Sequence, residues 1–197
     1  FVVAHPTLRA IALCAIFWNI AFFALVGLFA PLATQHLGLD APAVGRSWSA
    51  YGAGLIAGAL AAPTITARFS LGALLLFGPA VSVAAGIIIA LTTRETPELI
   101  LHCAFFLIGF GPMLWLVTQT SLRQTVTPSD MMGRVGATIQ VAIYGVRPLG
   151  ALLAGIAGSH VGLACAALIP LIFFSLSFIS MLFLSRSAVA QASPVAL

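Results

Sequence analysis

Gly145-Val146-Arg147-Pro148-Leu149-Gly150-Ala151-Leu152-Leu153-Ala154-Gly155 is apolar but for one guanidinium. Arginine keeps its proton in any protein environment, so Arg147 in the middle of such a run costs a few kcal/mol unless it faces protein or a watery cavity. The run therefore reads as one wall of a helix bundle with a polar interior.

The rest of the chain agrees with a membrane setting. Of its 197 residues, 61% are hydrophobic and only 6% charged, so a water-soluble domain would expose large apolar patches. The apolar residues come in long unbroken runs, whereas a membrane barrel would alternate apolar and polar over strands of about 10 residues. Six runs approach the roughly 20 residues that cross a hydrocarbon core: 10–30, 48–67, 71–91, 99–121, 135–158 and 162–184. The expected fold is an all-α integral membrane bundle. The second and fifth runs hold the most small residues, among them Gly52, Gly54, Gly58, Gly145, Gly150 and Gly155, and are expected to pack inside it.

All eight basic residues are Arg. With a cytoplasmic N-terminus, Arg9, Arg68, Arg123, Arg134 and Arg186 fall inside, and Arg46 and Arg94 outside with Asp40, Glu95 and Glu98. This bias predicts that both ends of the segment are cytoplasmic. The net charge of +4 follows from that distribution and calls for no nucleic-acid partner. No signal peptide is visible at Phe1, and the start reads as a cut inside a longer protein. Cys14, Cys103 and Cys165 lie in apolar runs as expected core residues, and no metal or cofactor motif is present.

Helical spacing selects a candidate cavity wall. Gln140, Tyr144, Arg147 and Ala151 recur at i, i+4, i+7 and i+11, one stripe of the fifth run. Pro148 removes a backbone donor beside the guanidinium and is expected to favour a kink. Asn19 in the first run, Trp115, Thr118 and Gln119 in the fourth, and Tyr51 in the second are the other polar or amphipathic groups at depth. Trp48 reads as a headgroup anchor, and Phe22, Phe23, Phe105 and Phe106 as core or lipid-facing residues. An enzyme is not expected. No Gly-X-Ser-Gly, no His-Glu-X-X-His and no paired acids occur in the spans.

Between the fourth and fifth runs, Thr127-Pro128-Ser129-Asp130 offers a hydroxyl N-cap, a Pro at the first helical position and a carboxylate at the third. A short helix with a capping box is expected there, leading into Arg134 at the membrane surface. Gly58-Ala59-Leu60-Ala61-Ala62-Pro63 and Gly150-Ala151-Leu152-Leu153-Ala154-Gly155, in spans of opposite direction, hint at a 3+3 inverted repeat.

Thr127-Pro128-Ser129-Asp130-Met131-Met132-Gly133-Arg134-Val135, followed by Tyr144 through Gly155, resembles the linker and eleventh helix of major facilitator superfamily transporters, most of all the enterobactin-exporter and macrolide-efflux branch. His5-Pro6-Thr7-Leu8-Arg9 is similar to that family's approach to helix seven, and Leu37-Gly38-Leu39-Asp40 with Tyr51-Gly52-Ala53-Gly54 to its turn into helix eight. Met132 replaces the first Arg of the family's Arg-Gly-Arg, and the loop 63–72 keeps Arg68 but no Asp of the superfamily signature. The resemblance implies helices seven to twelve of a 12-helix carrier, one half of a major facilitator fold whose N-terminal six-helix half is missing from this chain. It implies a multi-pass protein of the bacterial inner membrane that moves an amphipathic small molecule by alternating access, as an exporter of drugs or siderophore-like compounds. Arg147, Tyr144, Gln140, Asn19, Trp115, Gln119 and Tyr51 would then line the substrate cavity, and Asp130, Arg134 and Arg68 would serve a cytoplasmic linker or gate. A non-transporting membrane scaffold or receptor is the alternative.

Overall fold

A computed structural model describes residues 1–191, with side chains through Phe183. It is built from helices alone among the described residues: α1 (Pro6–Pro31), extended by a π turn (Leu32–His36), α2 (Ala41–Thr66), α3 (Leu71–Leu91), α4 (Glu98–Val126), a 3-10 turn (Ser129–Met131), α5 (Met132–His160), the single turn α6 (Leu163–Ala166) and α7 (Leu168–Gln191). The polar ends are fixed by local chemistry. Asp40 caps α2 by accepting from the Ala43 amide at 2.8 Å, and Ser70 caps α3 through Ala73.

Five stretches are long and apolar enough to cross a membrane: Pro6–His36, Leu71–Leu91, Glu98–Val126, Ser129–His160 and Leu163–Phe183. With 26 residues α2 is also long enough, but its glycines, serines and Arg46 dilute its apolar character. It begins at Ala41, about two turns before the expected residue 48.

The helices form an open arc in which α2 packs on α4, α4 on α3, α3 on α7, α7 on α1 and α1 on α5. The middle is filled by Phe29, Phe105 and Phe174, each fully buried. The two small-residue helices are therefore at the ends of the arc, not inside it as their composition suggested. Each buries one narrow stripe: Ala43, Ser47, Gly54, Gly58 and Ala62 on α2, and Val135, Ile139, Gly150 and Ala154 on α5.

The two end seams are built alike. A Cβ at Gly54 would strike the Phe106 carbonyl and, at 3.0 Å, the Phe110 nitrogen; a Cβ at Gly150 would strike the Ile20 carbonyl and, at 3.0 Å, the Ala24 nitrogen. Glycine is required at both positions because backbone lies against backbone. By this geometry Gly150 corresponds to Gly54, one helical turn before the Gly58 that the matching Gly-Ala-Leu strings would select. Exchanging α1 with α4, α2 with α5 and α3 with α7 leaves the order of principal contacts unchanged.

The bundle has two chemically different ends. At one, Arg46 pairs with Glu98 at 2.8 Å, and Arg94 donates to the carbonyls of His36 and Gln35 at 2.8 and 3.3 Å. These contacts tie the α1–α2 and α3–α4 connections together. At the other, Leu8, Val135 and Ile139 pack with Val126 and Met131, gathering the start of α1, the end of α4 and the start of α5 beside Arg9, Arg123 and Arg134. The Arg186 side chain lies outside the described ones.

The expected capping box does not form. Thr127 donates its hydroxyl backward to the Arg123 carbonyl at 2.6 Å, closing α4 rather than opening the next helix. The 3-10 turn that follows has no side-chain cap. Cys14 is buried, with its sulfur 3.3 Å from the Ser177 hydroxyl, but Cys103 and Cys165 are exposed on outer faces rather than in the core.

Candidate functional site

Inside the arc lies a cavity of about 510 Å³. All seven residues assigned to a cavity wall line it: Asn19 from α1, Tyr51 from α2, Trp115 and Gln119 from α4, and Gln140, Tyr144 and Arg147 from α5. Their convergence follows from periodicity. On α5 one stripe supplies Gln140, Tyr144 and Arg147; on α4 the adjacent rows Ile108, Pro112, Leu116, Thr120 and Trp115, Gln119, Arg123 make a continuous face.

Arg147 is held from three directions. Its Nε donates to Asn19 Oδ1 at 3.1 Å, and its guanidinium carbon lies 4.3 Å from the Tyr144 ring centre and 4.8 Å from that of Phe23. Asn19 is oriented for this task by its own amide, which donates to the Ala15 carbonyl at 2.9 Å and leaves the amide oxygen to the arginine. Among the described residues no acceptor meets either terminal nitrogen of Arg147. Pro148 sits in α5 without interrupting the helix.

The other wall residues are fixed locally. Gln119, buried, donates to the Leu116 carbonyl at 3.3 Å and to Thr120 Oγ1 at 2.9 Å. Trp115 has a buried Nε1 with no partner among the described residues. Thr118 turns away from the cavity, buried and donating to the Leu114 carbonyl at 2.8 Å.

Above Arg147, toward the ion-paired end, an aromatic plug begins. Trp18 stacks on Phe22 at 5.0 Å, Phe22 meets Tyr51 at 5.2 Å, and Trp48 meets both Tyr51 and Phe105, at 5.8 and 5.1 Å. Trp48 is thus a packing residue of this plug, not the headgroup anchor its position suggested. In the opposite direction the cavity wall extends to Ile11, Ile139, Gln119 and Arg123, toward the arginine-rich end.

Asp130, Arg134 and Arg68 are exposed at that end or in the α2–α3 turn; among the described residues none forms an ion pair, and none lines the cavity. Sequence reasoning passed over three contributors. Phe23 lies one turn after Asn19 on the same face of α1, a spacing that marks it as a partner of Arg147. Arg123 continues the Trp115–Gln119 row. Trp18 projects into the cavity while donating its Nε1 to Ser82 Oγ at 3.0 Å.

What the arrangement offers is a half-satisfied cation on an amphipathic wall, closed by rings at one end and bordered by arginine at the other. No protein-family model and no curated protein matches the chain.

Proposed function

We propose that this chain is the C-terminal six-helix half of a major facilitator-type secondary transporter, an exporter of drugs or siderophore-like small molecules. The observation that carries the reading is the convergence of Asn19, Tyr51, Trp115, Gln119, Gln140, Tyr144 and Arg147 on one cavity. A charged group inside an apolar bundle is expensive, and lining a solvated path is the use that offsets this cost best. Two further features support it. The contact order that survives exchange of the first three helices with the last three, together with the matching Gly54 and Gly150 seams, is what a 3+3 inverted repeat would produce. The faces that α2 and α5 leave open flank the cavity and suit a second six-helix half completing its other wall.

In this reading the arginine-rich end is cytoplasmic and the Asp40–Arg46–Glu98 end is external, with both ends of the segment inside the cell. The aromatic plug closes the cavity outward, and rocking of the two halves would exchange this closure for one at the cytoplasmic end. Asp130, Arg134 and Arg68 border that end. Among the described residues no carboxylate lines this wall, so proton coupling, where it exists, resides in the other half.

The test is translocation. The protein made from its complete reading frame should contain six further spans before Phe1 and, in proteoliposomes, should move at least one of a panel of fluorescent amphiphiles of either charge. Inserted, folded protein that moves none of them would leave a scaffold or receptor as the better account.

A further inference from the structure

We propose that the cavity selects anions: its substrate carries a carboxylate or a similar planar oxyanion on an apolar or aromatic body, and Arg147 takes that group. The inference deepens the transporter reading and rests on it.

The first argument is charge. Among the described residues Arg147 and Arg123 are the charged ones on the cavity wall, and none of the four acidic side chains lines it. Asp40, Glu95, Glu98 and Asp130 all lie at helix ends or in connections. Among the described residues Arg147 therefore has no counter-charge. In a low-dielectric bundle an uncompensated guanidinium sets a positive potential over the whole cavity, and Arg123 at the border extends that field toward the mouth.

The second is geometry. The bond to Asn19 uses Nε, the inner edge of the guanidinium, at 3.1 Å, and both terminal nitrogens are left without an acceptor among the described residues. The rings of Tyr144 and Phe23 lie 4.3 and 4.8 Å from the guanidinium carbon, constraining its plane. A planar donor fork held in place, with its outer donors vacant, matches a carboxylate in bidentate contact better than a neutral carbonyl or an amine. The same rings would repel nothing on such a ligand's apolar body, and Trp18 and Trp115 on the cavity wall offer it flat faces.

The competing explanation is a carboxylate contributed by another part of the complete protein, which would neutralise Arg147 and abolish the preference. Three dansyl probes separate the two: dansyl-phenylalanine, an anion; its methyl ester, neutral; and dansylcadaverine, a cation. Binding is read in nanodiscs, on protein made from the complete reading frame, as energy transfer from the cavity tryptophans. The anion should bind about tenfold or more tighter than either of the others. Arg147→Gln should bring the anion within about threefold of the ester while the ester still binds, and Arg147→Lys should keep the order of the three probes. Equal binding of all three by the unaltered protein, or survival of the anion preference in Arg147→Gln, would overturn anion selection but leave a working amphiphile cavity. Energy transfer with none of the probes would remove the binding cavity itself, and with it the transporter reading. Should Arg147→Gln not fold, the order shown by the unaltered protein and by Arg147→Lys decides.

Discussion

The seam between α2 and α4 and the seam between α5 and α1 share one backbone design and carry opposite chemistry. Gly54 touches the backbone at Phe106 and Phe110 as Gly150 does at Ile20 and Ala24. Counting back three residues from each glycine sets Tyr51 opposite Arg147, and six residues back sets Trp48 opposite Tyr144. Counting back one from each contacted carbonyl sets Phe105 opposite Asn19. In the first seam these positions form a packed aromatic group, Trp48 with Tyr51 and Phe105 at 5.8 and 5.1 Å. In the second they form the Tyr144–Arg147–Asn19 group, with the guanidinium 4.3 Å from the Tyr144 ring and 3.1 Å from the amide oxygen. The scaffold is held by the glycines in both; the residues one turn away decide whether the seam plugs the cavity or charges it.

That comparison breaks first at the glycines. Gly54→Leu and Gly150→Leu each push a side chain into a backbone that cannot move without parting two helices, so each should destabilise the bundle by about 3 kcal/mol or more. Thermal melting in detergent should show large and similar losses, whereas Gly145→Ala, at a helical position with open space, should leave the midpoint unlowered or slightly raised. Unequal losses at Gly54 and Gly150 would mean that the two seams are not equivalent.

A smaller effect sharpens the contrast between packing and function. Phe105 is fully buried between Phe29 and Trp48, and Phe105→Ala should cost about 3 kcal/mol through the cavity it leaves. Asn19→Ala, at the corresponding position, removes a hydrogen bond to a charged group that retains its two aromatic neighbours, and should cost about 1 kcal/mol. Its main consequence should be functional, because the guanidinium loses the acceptor that orients it. The reverse ranking in a melting experiment would make Asn19 and Arg147 a structural clamp.

Much of this was readable from the residues because two signals were strong. Long apolar runs gave the helices to within about two turns at their ends, with the sixth run broken into α6 and α7, and the 3.6-residue period placed Gln140, Tyr144 and Arg147 on one stripe. Packing order was hidden. The glycines of α2 and α5 promised close contact, which the structure provides on one face of each, but a small residue does not say how many neighbours its helix has. Hence two helices expected inside the bundle sit at the ends of its arc. The Thr127 hydroxyl was open to two local partners, and the carbonyl of Arg123 won over the amides of the next turn. Trp48 was misplaced, and the contact of Phe23 with Arg147 missed, for a related reason: an aromatic near a span end, or beside another aromatic, has the same sequence signature whether it faces lipid or another side chain. The Arg147–Asn19 bond spans 128 residues, and no local pattern could have paired them.

The central claim is that Arg147 serves a transport path and not only the packing of α5 on α1. The direct measurement is transport by the complete protein carrying Arg147→Gln or Arg147→Lys, with each variant's abundance in the membrane matched to the unaltered protein. The account predicts that both variants insert at normal levels and that transport falls by about two orders of magnitude in the Gln variant, where the charge is lost, and less in the Lys variant, where only the planar fork is lost. Normal transport by the Gln variant at matched abundance would contradict it, and failure of both variants to accumulate as folded protein would assign Arg147 to the architecture of the bundle instead.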